Sequence, residues 1–205
     1  MDDRLRWRAR AIVLAASSAA ERFLDEASKV AKELARVPFR RVCFLGSGAL
    51  AAVARESALK VLELTAGRIA TMSETFLGVR HGPLSAIDQS TLVVGFLSSD
   101  PLRSAYEIDL LQEIGKKKLG RETVVVAPAD DPGKSPKGDD ARIRAVCNRL
   151  LALGALELPD EYRPLYDIIF GQLLGLFFSL KLGFLPDTPS PSGAINRVVS
   201  GVKIH

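Results

Sequence analysis

The chain has 205 residues, 47% hydrophobic and 25% charged, with a formal net charge of +4. That length closes a core without disulfide or metal staples, and the composition excludes a disordered chain. Much of the positive excess lies in the opening MDDRLRWRAR, with neither aromatic–basic interleaving nor zinc-ligand spacing to suggest a nucleic-acid partner.

Residues 4–36 carry helical periodicity rich in alanine and charge, and the pattern stops before Pro38. RVCFLG (41–46) is a short apolar strand stopped by Gly46-Ser47-Gly48. Residues 49–66 read as a helix closed by Gly67, a residue suited to a helix C-terminus. RIATMS (68–73) is a weak strand and TLVVGFL (91–97) a strong one, ended by SSDP. Pro101 after Asp100 opens the next helix, with Asp100 as its N-cap. TVVVAP (123–128) is a further buried strand, DDPGKSPKGDD (130–140) a polar surface loop, and ALEL (155–158) a fifth strand. An apolar helix follows over 162–182, and the tail from Pro186 is extended. The segment IIFGQLLGLFFSL (168–180) contains Gln172 and is too short to cross a bilayer, so no membrane association is expected.

Short apolar strands alternating with helices predict an α/β fold: a three-layer, doubly wound sandwich around a five-stranded parallel sheet, in a single domain over 1–205. Cys43 and Cys147 stand far apart in or beside apolar runs, without metal spacing. Together with the absence of an N-terminal apolar run, they predict reduced thiols and a cytoplasmic location. No cofactor is expected.

In doubly wound sheets ligands sit beyond the carboxyl ends of the strands. That rule selects Gly46-Ser47-Gly48, SETFLGVRHGP (73–83) and Ser98-Ser99-Asp100-Pro101 as neighbouring candidates. Gly46, Ser47 and Gly48 have the character of a phosphate cradle at a helix start, or equally of a tight turn. The Ser98 and Ser99 hydroxyls can donate to a ligand, although Asp100 beside them would repel a phosphate.

Glu56, Lys60 and Glu63 share one helix face by their spacing. They form either a surface ion-pair ladder or a stripe lining a cleft at the strand tips. The neighbouring residues are nearly all apolar or small, which favours the cleft. There a carboxylate beside an ammonium can abstract and return a proton. His81, in a loop before Gly82-Pro83, is of the residue type that suits proton transfer, or is an incidental loop residue.

LGSGALAAVARESALKVLELTAG, GVRHGP, TLVVGFLSSDP, YEIDLL and PDTPSPSGAINRVVSGVKIH together resemble the sugar isomerase (SIS) domain. The resemblance is closest to the C-terminal half of the tagatose-6-phosphate ketose/aldose isomerase family, also described as galactosamine-6-phosphate deaminase/isomerase. It implies aldose–ketose conversion of a phosphorylated amino sugar by a homodimer or higher homo-oligomer, or with a second SIS-domain chain. A similar Glu…Lys…Glu helix occurs in the isomerase domain of glucosamine-6-phosphate synthase. By that match Glu63 is the base between C1 and C2, Lys60 holds or polarises the ligand, and Glu56 supports them. His81 assists ring opening in a neighbouring subunit's site. The chain departs from the family in two respects. It matches one SIS domain where family members carry two, and SSDP stands where the first domain has a Ser-x-Ser-Gly phosphate loop, so a split or truncated protein is expected. The synthase's C-terminal lysine also aligns with Ser200, three residues before Lys203. A non-catalytic phosphosugar-binding module is the alternative.

Overall fold

The computed structural model describes residues 3–128, 139–153, 158–187 and 193. Its helices are α1 (Asp3–Leu34), α2 (Leu50–Leu64), α3 (Pro101–Lys116), α4 (Asp139–Arg144) and α5 (Pro164–Lys181). Its strands are β1 (Arg41–Gly46), β2 (Ala70–Glu74), β3 (Thr91–Phe96), β4 (Glu122–Ala127) and β5 (Arg149–Ala152). They form one sheet in the order β2-β1-β3-β4-β5 with every pairing parallel, as the alternation of strands and helices requires.

Alternate strand residues face opposite layers. Val42, Phe44, Val94, Phe96 and Val126 pack under α1, α2 and α5. Cys43, Leu45, Val93 and Val125 pack against α3, α4 and the loop after β2, through Phe76, Val79, Ile108, Leu111 and Ile143. Burial pushes the Cys43 thiol up to about 12, with Glu74 adding to it, so this thiol is not a nucleophile near neutrality.

Two elements differ from the sequence reading. The fifth strand lies at Arg149–Ala152 rather than 155–158, of which 155–157 fall outside the described residues. The run from Leu150 is apolar throughout, so hydrophobicity alone leaves its register open. Polar contacts set it: the Asn148 Oδ1 accepts the Thr123 N–H at 2.7 Å, and Arg149 pairs with Glu122 of β4 and Glu33 of α1. The short α4 begins inside the expected surface loop, and 130–138 of that loop also lie outside the described residues. So do Ser200, Lys203 and the tail around them.

The closest helix contact is between α2 and α5. A Cβ added to Gly171 would stand 2.1 Å from the Ser57 Oγ, and one on Gly175 3.1 Å from the Lys60 carbonyl oxygen. These glycines, one helical turn apart on α5, let the two backbones approach. Alanine is the better helix former by about 1 kcal/mol, yet overpacking costs about 1–3 kcal/mol. Gly171→Ala is therefore expected to destabilise the fold, read as a lower urea midpoint. An unchanged or raised midpoint would contradict this packing.

Candidate active site

At the tip of β1 the sequence needs glycine, because a Cβ on Gly46 would lie 2.3 Å from the Leu50 carbonyl oxygen. Gly48 adopts φ +56°, the left-handed region. The N–H groups of Leu50, Ala51 and Ala52 donate to the carbonyls of Ser47, Gly48 and Ala49 at 3.1, 3.2 and 3.2 Å. The first donors of α2 are thus spent inside a tight turn.

At the tip of β3, Asp100 caps α3 as expected, accepting the Arg103 N–H at 2.8 Å. The Ser98 and Ser99 hydroxyls both donate to Asp160, at 2.5 and 2.8 Å. Asp160 also pairs with Arg103 at 3.2 Å and with the buried Arg163 at 3.0 Å. Arg163 donates further to the Leu97 carbonyl and to Asp167, both at 2.6 Å. Burial by itself raises the Asp160 carboxyl, but hydrogen bonds from Ser98 and Ser99 and the charge of Arg163 outweigh it and leave the pKa lowered. The network therefore holds Asp160 as a carboxylate.

Beside this network lies a cavity of about 220 Å³ lined by Ser47, Thr75, Phe76, Leu77, Arg103, Tyr106 and Glu107. The buried Glu107 carboxylate accepts the Ser98 N–H at 2.8 Å through Oε2, whereas Oε1 makes no hydrogen bond of normal geometry among the described residues. Burial raises its pKa, against lowering by the Ser98 N–H and the nearby Ser47 hydroxyl.

The charged stripe lies elsewhere. The helix α2 starts at the strand tips and returns to β2, whose first residue Ala70 pairs with Arg41, the first of β1. Glu63 is thus at the opposite end of the sheet from Ser47 and Ser98, about 20 Å down the helix at 1.5 Å per residue. The expectation of one strand-tip crevice shared by stripe and loops fails, because the helix runs antiparallel to the strands. The stripe itself forms as the spacing predicts: Lys60 Nζ lies 2.9 Å from Glu63 Oε2 and 3.4 Å from Glu56 Oε1. The Lys60 and Glu63 side chains are 30% and 38% exposed, so they are accessible yet partly desolvated. Leu59 and Leu62 beside them are 42% and 43% exposed, which gives this face of α2 an apolar border. The hydrogen bond to Glu63 raises the Lys60 pKa despite partial burial, and the charges of Glu63 and Glu56 reinforce it. Lys60 is a fixed cation at neutral pH and a donor to Glu63, poorly suited to act as a nucleophilic amine.

His81 is exposed at the end of a single 3-10 turn, Gly78–His81. Two neighbours fix it. Arg80 Nε pairs with Glu113 of α3 at 3.0 Å, and Gly82 takes φ +136°, which favours glycine. Val79 in the same turn packs with α3, whereas Val61 of α2 packs with α5. Glu63 and His81 are therefore carried by opposite layers of the sandwich, and the sheet separates the elements that bear them.

Sequence reasoning missed Glu107, Asp160, Arg163 and Asp167. The last three carried a signal: acid, base and acid at 160, 163 and 167 repeat the spacing logic of the α2 stripe, just before and within the first turn of α5.

A five-stranded parallel sheet in this order, with a Glu-Lys-Glu helix after its first strand and a His-Gly-Pro turn after its second, defines a sugar isomerase (SIS) domain. No protein-family model matches the chain. The D-galactosamine-6-phosphate deaminase AgaS of Escherichia coli O157:H7 is 39% identical over 168 residues, 82% of this chain and 41% of that protein. The structure of a candidate tagatose-6-phosphate ketose/aldose isomerase from Clostridium novyi matches with TM-score 0.82 and 36% identity, over 93% of this chain and 47% of that one. Tagatose-6-phosphate ketose/aldose isomerase from Escherichia coli matches with TM-score 0.74 and 30% identity, over 93% and 46%. The chain carries a SIS domain similar to one half of these tagatose-6-phosphate ketose/aldose isomerase and galactosamine-6-phosphate deaminase proteins, and it spans somewhat under half the length of these relatives.

Proposed function

We propose that the chain carries the proton-transfer half of a phosphosugar isomerase or deaminase, acting on an amino-sugar phosphate such as galactosamine-6-phosphate to give tagatose-6-phosphate. The observation that carries this reading is the half-exposed Lys60–Glu63 pair on an apolar-bordered face of α2. A carboxylate fixed at 2.9 Å by a permanent cation is preorganised for proton transfer at carbon. On an open-chain 2-amino aldose, Glu63 removes the C2 proton. The C2–H electron pair forms the C1–C2 double bond and the aldehyde oxygen takes a proton. Return of the proton to C1 leaves an iminium at C2, which water converts to the ketone with release of ammonium. A substrate without the amine passes through the enediol and is simply isomerised.

Lys60 neutralises charge beside the base, and Glu56 holds Lys60 from the other side. His81 opens the sugar ring. Because the elements carrying His81 and Glu63 lie on opposite sheet faces, His81 serves the site of a neighbouring subunit. The working unit is then a homodimer, a larger oligomer, or an assembly with a second SIS-domain chain that holds the phosphate. A cytoplasmic location follows from such a metabolic substrate; no helix among the described residues is long and apolar enough to cross a membrane.

The test offers galactosamine-6-phosphate to the purified chain and follows ammonium and ketose across a range of protein concentrations. The expected result is release of both in equal amounts, with specific activity rising as the chain assembles. Binding of the sugar phosphate without turnover at any concentration would transfer the assignment to a ligand-binding module.

A further inference from the structure

The tip of β3 holds the parts of an oxyanion site, and the protein's own carboxylate lies in it. Two hydroxyls, one backbone N–H and two guanidinium groups converge on Asp160. Ser98 Oγ donates at 2.5 Å, Ser99 N at 2.9 Å and Ser99 Oγ at 2.8 Å. Arg103 Nη1 donates at 3.2 Å and Arg163 Nη1 at 3.0 Å. The donors surround the start of α3, a 16-residue helix whose dipole adds positive potential. Both Asp160 and Arg163 are almost completely buried, so the arrangement is built into the core rather than a loose surface pair.

We propose that Asp160 is an internal stand-in for a tetrahedral oxyanion, and that it makes this strand-tip loop blind to phosphate and sulfate. The donors are of the kinds that hold phosphate in proteins: serine hydroxyls, a backbone N–H just before a helix and planar guanidinium groups. A residue from a distant loop supplies the anion that a ligand would otherwise bring. Removal of the Asp160 carboxyl group would leave Arg103, Arg163 and the two serines without their shared acceptor. It would also join their space to the adjoining cavity of about 220 Å³, which Arg103 and Ser47 already line. That volume holds a phosphate, which a carboxylate-sized void alone would not. Two features tune the opened site. Glu107 borders it and opposes an anion while ionised. The Gly48 position also matters, since a Cβ there would stand 3.2 Å from Arg103 Nη1.

The consequence is one of specificity. A domain whose strand tip is filled from within leaves the substrate's phosphate to be held outside that tip. This inference does not depend on Glu63 acting as a base: its failure would leave the isomerase reading standing, and failure of that reading would leave the filled cradle in place.

The test compares thermal unfolding of the wild type and Asp160→Ala in inorganic phosphate and in chloride of equal ionic strength. Wild type is expected to respond equally to the two salts. Asp160→Ala is expected to start lower and to gain about 4 °C more from 20 mM phosphate than from chloride, as a millimolar site would give for a chain of this size. That gain should disappear in the double variant Asp160→Ala with Arg103→Ala. Asp160→Asn, which keeps the side chain's bulk, should show no gain. If Asp160→Ala does not fold in chloride, refolding with phosphate present should recover it. A folded Asp160→Ala without a phosphate-specific gain, no recovery on refolding, or a wild type that responds as strongly as the variant would each overturn the proposal.

Discussion

Glu63→Gln is expected to reduce turnover of an amino-sugar phosphate by about 10²–10⁴-fold, the range a positioned general base contributes, with little change in the folded state. The substitution preserves size and hydrogen-bond reach, so Lys60 keeps an acceptor at the same position. What is lost is the ability to carry a proton between two carbons. Because Glu63 is 38% exposed, its replacement leaves no buried charge unpaired, and the urea midpoint should stay near that of the wild type. Substrate affinity should also hold, so the loss falls on kcat. Equal turnover by Glu63→Gln and wild type would remove Glu63 from the chemistry. A parallel fall in activity and stability would make it a structural residue.

Arg163→Ala is expected to cost about 3–5 kcal/mol of folding stability, the range for removing one partner of a buried ion pair. Arg163 is 1% exposed and donates to the Leu97 carbonyl, Asp160 and Asp167 at 2.6, 3.0 and 2.6 Å. Its loss leaves a buried carbonyl and two buried carboxylates to share what remains. Arg163→Lys should recover only part of the loss, because a single ammonium cannot reproduce the planar fork that serves three acceptors. The pH dependence gives a second signature. Burial pushes the Asp167 carboxyl up to about 6, although the Arg163 guanidinium acts to lower it. A folded-state pKa above the unfolded value means that this group favours the fold most below about pH 4, and that its contribution fades as the pH rises through about 6. Without Arg163 the Asp167 pKa rises further, so the variant should lose most stability near neutrality and less in acid. Urea titrations of both proteins at pH 4 and pH 7 measure this. A gap between them that widens in acid would contradict the ion-pair account.

Much of the fold was readable from sequence because strands buried on both faces announce themselves as unbroken apolar runs. RVCFLG and TLVVGFL gave β1 and β3 nearly to the residue. The boundary of β5 was not readable in that way. The segment from Leu150 is apolar well past the strand, and the contacts that fix it belong to Asn148 and Arg149, which pair with residues 25 to 116 positions away. The close approach of α2 and α5 was visible only as two glycines inside an apolar helix, and their meaning depends on which helix packs there.

The charged stripe of α2 was legible as a set of residues and illegible as a place. Spacing put Glu56, Lys60 and Glu63 on one face, and the ion pairs formed accordingly. The rule that ligands sit at strand tips drew that stripe to the wrong end of the sheet. The helix direction carries its last turns away from those tips. Ser98 and Ser99 were recognised as donors, but their acceptor, Asp160, is more than sixty positions distant. Local sequence carries no trace of that pairing.

The central claim is that Glu63 of one subunit and His81 of another serve one site. Mixing Glu63→Gln chains with His81→Ala chains, under conditions where wild type turns over galactosamine-6-phosphate, tests it most directly. In a symmetric dimer with shared sites, random exchange makes half the dimers mixed, each with one intact site, so activity should return to about a quarter of wild type. A mixture no more active than the two variants measured separately would show that both residues act within a single chain's site, or that neither acts at all.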